Sequence, residues 1–196
     1  FTESNLPIVL LNSGASGISD YFKSEIQMQI IDNGPGQMNY PEQQNFVYDG
    51  KIMAEYQGWS STNSPKKNID FNLGDAINPK LEASLGGLPA ENDWLFKAEF
   101  TDRTLMKNSL SYDTYRKMGR WAPRTRFCEL IIDGQYMGVY TLMEKVKRDG
   151  NRLDISKLTE ELYNSKMEAI KDNLERVQKY SVLDDWIYEN YIKYYV

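Results

Sequence analysis

Apolar and polar residues alternate with a period of two over much of the chain before residue 100, which is the pattern of half-buried β-strands. In one such segment Ile26, Met28 and Ile30 share a face, and two glutamines fall on the other. The segments with this alternation, or with a short apolar run, are 7–11, 24–32, 50–58, 67–73 and the residues around Trp94. Each is predicted to form a strand.

The clearest supersecondary signal is a β-hairpin over residues 126–144. Two apolar stretches flank Asp133-Gly134, a dipeptide that favours the type I′ turn of a two-residue hairpin loop. Cys128 falls on the same face as Leu130 and Ile132, so we expect a small core residue at this position rather than a reactive thiol.

Two parts of the chain have helical signals. The segment 102–118 begins with Asp102, a capping residue, and is followed by Gly119 after a basic last turn. A second helix is predicted to start at Thr159, and a capping-box pattern at 181–184 predicts a last one. The apolar stripe of the second helix consists of Tyr163, Met167, Ile170, Leu174 and Val177.

Composition narrows the possible functions of this 196-residue chain. The formal net charge of −5 argues against a general nucleic-acid-binding protein, because such proteins carry a basic face. The absence of histidine excludes Ser-His-Asp and Cys-His hydrolases and His-ligated zinc sites. A single cysteine excludes an internal disulfide. No apolar run reaches the roughly 18–20 residues of a membrane span, and the first residue, Phe1 rather than Met, predicts a trimmed or partial chain.

The loop after the third predicted strand is a candidate anion-binding site. It reads GWSSTNSPKKNIDF from Gly58 onward, and small residues of this kind expose backbone N–H groups to an anion. The hydroxyls of Ser60 and Ser61 add donors, and a lysine on the next strand would reach the same phosphate. The alternative is an ordinary polar loop between two strands.

The order of the predicted elements matches the N-terminal lobe of a protein kinase: a small-residue loop, a lysine-bearing strand, a helix and a hairpin. A carboxylate on the helix would pair with the lysine, and Asp113 and Asp102 are the candidates, although a surface or capping role fits each of them as well. The charged segment 144–152 would link two lobes near the base and sugar of a nucleotide. A solvated connection is the alternative for this segment.

Five longer motifs occur in the following order: YDGKIMAEYQGWSS (48–61), PKKNIDFNL (65–73), LGGLPAENDWLF (85–96), DRTLMKNSLSYD (102–113) and the stretch 120–158, which begins RWAPRTRFCEL. In this order they resemble the spore coat protein H (CotH) kinase family, which occurs in many bacteria. The resemblance covers residues 5–158, and the tail sequence DDWIYENYIKYY is similar to the family segment that precedes its catalytic region.

The resemblance implies an α+β, atypical protein-kinase-like fold. A β-rich N-lobe with one inserted helix would occupy residues 1–150, and the helical start of an incomplete C-lobe would occupy residues 151–196. The implied reaction is ATP-dependent phosphorylation of serines in a Ser-rich secreted, surface or coat protein, with Mg²⁺ or Mn²⁺. The resemblance also implies an extracytoplasmic location, either secreted or at the cell surface.

The resemblance also assigns residues to the nucleotide. The implied contacts are Gly58, Ser60, Ser61, Lys66, Lys67, Asp113 and Glu144. Either lysine would hold the phosphates, but strict alternation puts Lys67 on the face of Ile69 and Phe71, so Lys67 is the favoured contact.

The family's catalytic and metal-binding aspartates are missing from this sequence. The family carries a Gly-Gly strand after the motif DISKL, whereas Thr159 follows that motif at once here. Asp184 and Asp185 do not replace the missing groups, because the first turn of a predicted helix explains them. We therefore expect no catalytic or metal residues in this chain and no phosphoryl transfer by it alone. The chain is either part of a longer protein or a degenerate relative.

A non-catalytic extracytoplasmic surface, scaffold or glycan-binding module on the same fold is the alternative function. Trp59, Trp94 and Trp121 would stack on a partner or a glycan. Core packing is the competing role for each of them, except that Trp59 falls in a predicted loop.

Overall fold

The structure is a computed structural model that describes residues 1–58, 64–155 and 159–180. The chain divides into two compact units, Phe1–Asp154 and Ile155–Val196. The predicted domain boundary after residue 150 stays a prediction. The helix predicted from the capping box at 181–184 lies outside the described residues.

The predicted strands are present in the first unit, with small shifts at their ends. The strands are β1 (Ile8–Asn12), β2 (Ser24–Ile31), β3 (Tyr48–Gln57), β4 (Asn68–Leu73), β5 (Asp93–Lys97), β6 (Thr125–Ile132) and β7 (Gln135–Glu144). Helix α1 (Lys107–Lys117) lies between β5 and β6 in the chain.

These seven strands form a closed barrel in the order β1-β2-β3-β4-β5-β7-β6. Neighbouring strands are antiparallel except β1 and β6, which pair in parallel from Ile8 opposite Glu129 to Leu11 opposite Ile132. Because β1 pairs with β2 on its other side, none of the seven strands is left as a sheet edge.

The predicted α+β, kinase-like fold, with a β-rich N-lobe, one inserted helix and the start of a C-lobe, is wrong. The described residues form a mostly β protein, in which α1 has no buried residue and therefore contributes nothing to the core. Alternation predicts which side chains of a strand are buried, but it does not specify the strand's neighbours, which depend on register and on long-range pairing. The parallel pairing of β1 with β6 closes the barrel, and no local pattern encodes it.

The inward-facing residues of the barrel form its core. Ile26, Met28 and Ile30 are each at most 3% exposed, as their shared face predicted. Phe71 of β4 stacks on Phe96 of β5 with ring centroids 4.6 Å apart. The predicted core role of Cys128 is confirmed: the residue is buried, and burial raises the pKa of its thiol to about 12.

The hairpin turn between β6 and β7 is confirmed. Asp133 and Gly134 both have positive φ angles, +50° and +79°, as a type I′ turn requires. The Asp133 carboxylate accepts hydrogen bonds from the backbone N–H of Ser13 at 2.8 Å and from its hydroxyl at 2.5 Å. The turn therefore also fixes the end of β1, the strand that closes the barrel.

Helix α1 begins at Lys107 rather than at Asp102. Leu105 has a φ of +58°, a left-handed conformation that a right-handed helix does not include. Asp102 still caps the helix, because its Oδ2 accepts the N–H of Lys107 at 2.9 Å. Gly119, with φ of +76°, ends it as predicted.

The described part of the second unit contains helix α2 (Glu160–Tyr180). Its predicted start is confirmed, since the N–H of Tyr163 donates to the carbonyl of Thr159 at 2.8 Å. Tyr163, Met167 and Leu174 of the predicted apolar stripe are half-buried. Neither α1 nor α2, the helices of the described residues, has the length and hydropathy that crossing a bilayer requires.

Candidate functional site

Lys66 lies at the end of the barrel where β3 ends and β4 begins. Its amine donates a hydrogen bond to the Val139 carbonyl and lies 4.3 Å from the centroid of the Tyr140 ring. No carboxylate in the described part of the chain forms an ion pair with it. Burial lowers the pKa of Lys66, although the negative charges of Glu129 and Glu99 act in the opposite direction. Lys66 is thus a half-buried cation without a paired carboxylate.

A cavity of about 370 Å³ opens beside Lys66, and we call it the Lys66 cavity. Its polar lining consists of Ser64, Lys66, Asn68, Lys97, Glu99, Thr101 and Asn108. Lys97, the last residue of β5, has no ion-pair partner among residues 1–58, 64–155 and 159–180. The lining therefore includes two lysines and one glutamate, which is an excess of positive charge.

Glu99 is held in place by an amide from α1. The Asn108 side chain donates to both carboxylate oxygens of Glu99, each at 2.9 Å. Glu99 has a φ of +48°, which is uncommon for a residue with a side chain. The neighbouring N–H of Ala98 donates to Oδ1 of Asn68 at 2.8 Å, so β4 and α1 together fix the backbone and the carboxylate at this side of the cavity.

Lys67, the lysine favoured by alternation, does not line the Lys66 cavity. Its amine forms an ion pair with Asp20, at 2.9 and 3.2 Å from the two carboxylate oxygens, and lies 4.7 Å from the centroid of the Tyr56 ring. Its charge is therefore already balanced within the protein. The structure brings Lys66, rather than Lys67, together with Lys97 and Glu99.

Within the predicted phosphate loop, the structure describes Gly58 and the residues from Ser64 onward. Gly58 has a φ of +118°, a conformation that favours glycine over residues with a side chain. Ser60 and Ser61 lie outside the described residues. Their predicted contacts with phosphate stay predictions.

Two carboxylates of the helical segment were predicted to pair with the lysine. In the structure they contact other groups. Asp113 pairs with Lys117 at 2.7 Å and with Arg116 at 3.4 Å, one turn along α1. The hydrogen bond from Lys117 lowers the pKa of Asp113. Asp102 accepts the N–H groups that start the helix. Both carboxylates therefore support α1, and Glu99 is the carboxylate that lines the Lys66 cavity.

Glu144 is a buried residue that stabilises the fold. It is fully buried, and its carboxylate accepts hydrogen bonds from the Arg124 guanidinium at 2.6 Å and from the Arg124 backbone N–H at 2.8 Å. These bonds fix the chain before β6 to the end of β7. Glu144 does not line the Lys66 cavity.

Sequence reasoning missed Lys97, Glu99 and Asn108. A signal was present for Lys97, because period-two alternation places it on the same face as Leu95 at the end of β5. Glu99 lies beyond the strand with a φ of +48°, so alternation does not place it. Asn108 carried no comparable signal, since its contact with Glu99 depends on where α1 begins.

The described residues do not provide a metal site. Within them, no group of three or more Asp, Glu or Cys side chains is arranged to hold a metal ion. In nucleotide sites Mg²⁺ binds through one or two carboxylates together with phosphate oxygens and water, so this finding concerns only an ion held by side chains alone.

The fold and the cavity define a β-barrel protein with a cationic pocket at one end. A family model described as CotH kinase protein matches residues 54–195. The match covers well over half of the chain, and the protein therefore belongs to the CotH family. The matched region begins within β3, so β1 and β2 lie outside the match. A search of curated proteins finds no match to this chain.

Proposed function

We propose that this CotH-family protein acts in ATP-dependent phosphorylation of protein serines and that the Lys66 cavity binds the polyphosphate of ATP. The observation that carries the proposal is the Lys66 ammonium, half-buried and without an ion-pair partner in the described residues, beside a second lysine, Lys97. A desolvated charge without a counter-charge is unfavourable. A polyanion that contacts both amines would remove this cost and form charge-assisted hydrogen bonds.

The cavity residues have distinct roles in this proposal. An ammonium group has three donors, so Lys66 would contact a phosphate oxygen while keeping its hydrogen bond to Val139. Lys97 would contact the same phosphate chain from the end of β5. Glu99, held by Asn108, would limit the repulsion between the two amines and keep them protonated. Because the described residues include no cluster that would hold a metal ion by itself, no step is assigned to a metal.

The proposed protein substrate is a Ser-rich secreted, surface or coat protein, and the proposed location is extracytoplasmic. Both come from the family resemblance, and membership of the CotH family supports them. The alternative, a glycan-binding or scaffold module, has less support. Trp94 is buried in the core, where it cannot stack on a ligand, Trp121 is half-buried, and Trp59 lies outside the described residues.

The test is phosphate transfer by the full-length gene product. The protein is incubated with γ-labelled ATP, Mg²⁺ or Mn²⁺ and a Ser-rich acceptor protein, and label on serine is measured. We expect transfer by the wild type and loss of nearly all of it in Lys66→Met, with little change in Lys67→Met. Absence of label from the wild type, or equal label from Lys66→Met, would contradict the proposal.

A further inference from the structure

A second polar cavity lies at the start of β5, away from the Lys66 cavity along the same strand. Its volume is about 490 Å³, within the range of small-molecule sites. Pro79, Lys80 and Glu82 line it, as do four residues of the segment 147–152. Five of its charged groups form one ion-pair cluster: Glu91, Asp93, Asp149, Lys147 and Arg152. The cluster has three carboxylates and two cations, and the other charged lining residues, Lys80 and Glu82, offset each other, so one negative charge is in excess.

Two of the three carboxylates are well paired. Lys147 Nζ lies 2.5 Å from Oδ1 of Asp93, and the Arg152 guanidinium contacts Asp149 through its Nε. Burial raises the pKa of Asp93, but hydrogen bonds from Lys147 and Asn72 outweigh it, and the net effect is a lowered pKa. The side chain of Arg152 is only 6% exposed, whereas that of Lys147 is 46% exposed, so the contacts of Arg152 are the more shielded from water.

Glu91 is the carboxylate of the cluster that is only partly paired. Its side chain is 7% exposed, and Arg152 Nη2 lies 3.1 Å from Oε2, but Oε1 is buried and accepts no hydrogen bond. Burial raises the pKa of Glu91, and the neighbouring Asp149, Glu144 and Glu82 raise it further, while Arg152 opposes them. Arg152 is shared by Glu91, Asp93 and Asp149, so the negative charge in excess lies in the same cluster as the unsatisfied Oε1 of Glu91.

We propose that this cavity is a binding site for a small primary ammonium compound, which donates an N–H to Oε1 of Glu91 and balances the third carboxylate. An ammonium group supplies both missing features, a donor and a positive charge, whereas a neutral hydroxyl supplies only the donor. Since Oε1 is buried in the structure, binding would require the carboxylate of Glu91 to turn towards the cavity. A metal ion fits less well, since the described residues include no group of acidic side chains arranged to hold one. The site does not depend on the proposed kinase function.

The probe for this site is 1,4-diaminobutane, titrated into the isotope-labelled 196-residue chain while backbone amide signals are followed by NMR. We expect saturable shifts at Glu91, Asn92 and Arg152. Tetramethylammonium at the same ionic strength, which has no N–H donor, should not reproduce them. Glu91→Gln should weaken binding at least about tenfold, a loss of about 1.4 kcal/mol. Glu82→Gln removes an exposed carboxylate from the same cavity and should change binding less than about twofold.

Three results would overturn the proposal. These are no saturable shift with the diamine, an equal effect of tetramethylammonium, and an equal loss in Glu82→Gln, which would indicate surface charge alone. Circular dichroism checks that Glu91→Gln is folded. If Glu91→Gln is not folded, the pH dependence of diamine binding to the wild type tests the proposal instead. Binding should weaken as the pH falls through the raised pKa of Glu91, because protonation removes the negative charge. Binding that does not change over that pH range would also reject the site.

Discussion

Replacing Arg152 with alanine is expected to destabilise the first unit by about 3–5 kcal/mol, the cost of leaving buried carboxylates without their cation. The Arg152 guanidinium lies 3.1 Å from Glu91 and 3.8 Å from Asp93, and it also contacts Asp149. Its Nη1 donates to the Lys145 carbonyl at 3.3 Å. Its loss therefore removes the contacts that fix the segment 145–152 to β5.

Urea-induced unfolding of the 196-residue chain, followed by tryptophan fluorescence, measures this effect. Arg148→Ala is the matched control, because it removes the same side chain from an exposed position in the same segment. Arg148→Ala should change the unfolding free energy by less than about 0.5 kcal/mol. Equal effects of the two substitutions would show that Arg152 does not act through the buried carboxylates.

Replacing Lys66 with methionine is expected to weaken ATP binding about tenfold to a hundredfold. A hydrogen bond to a charged group contributes about 1.5–3 kcal/mol, and a phosphate would receive at least one from this amine. Methionine keeps most of the apolar stem of lysine, so the loss reports on the charge. The substitution removes a half-buried cation that lacks an ion pair, but it also removes the amine's contacts with Val139 and Tyr140, so the stability of the free protein should change by less than about 1 kcal/mol.

Isothermal titration with ATP measures the binding constants, and Lys67→Met is the control. Lys67 is paired with Asp20 and lies outside the Lys66 cavity, so its replacement should change the affinity less than about threefold. A larger loss in Lys67→Met than in Lys66→Met would mean that the phosphates bind where strict alternation had placed them. The Lys66 cavity would then have another role.

Local features of the fold were predictable because nearby residues determine them. The alternation around Ile26 and Ile30 marks a strand, Asp133-Gly134 requires a type I′ turn, and Gly119 ends a helix. Cys128 was placed in the core by its spacing from Leu130. Each of these depends on a few residues close in the chain, which is the range over which sequence patterns are informative.

The closed barrel was not predictable in the same way. The parallel contact of β1 with β6 joins Ile8 to Glu129, residues that are far apart in the chain. The order of elements resembled a kinase lobe, but order alone does not determine which strands pair. Helix periodicity also did not predict the left-handed backbone at Leu105, because of which α1 begins later in the chain than expected.

The candidate site was predicted in part. Lys66 and Lys67 were both candidate contacts and alternation favoured Lys67, whereas the structure places Lys66 in the lining of the cavity and pairs Lys67 with Asp20. Their contacts with a nucleotide stay predictions. Both lysines precede the first residue of β4, Asn68, so the strand's alternation does not apply to them. Glu99 and Asn108 meet only through the tertiary contact of α1 with the end of β5.

Labelling with an acyl-phosphate derivative of ATP tests the central claim most directly, because the reagent transfers its acyl group to lysine amines beside the bound phosphates. Peptide mass spectrometry then identifies each modified lysine. The predicted result is ATP-protected labelling of Lys66 and Lys97, with no protected labelling of Lys67 or of the exposed Lys107 and Lys117. Labelling spread over the exposed lysines, with no protection of Lys66 and Lys97 by ATP, would contradict a polyphosphate site in the Lys66 cavity.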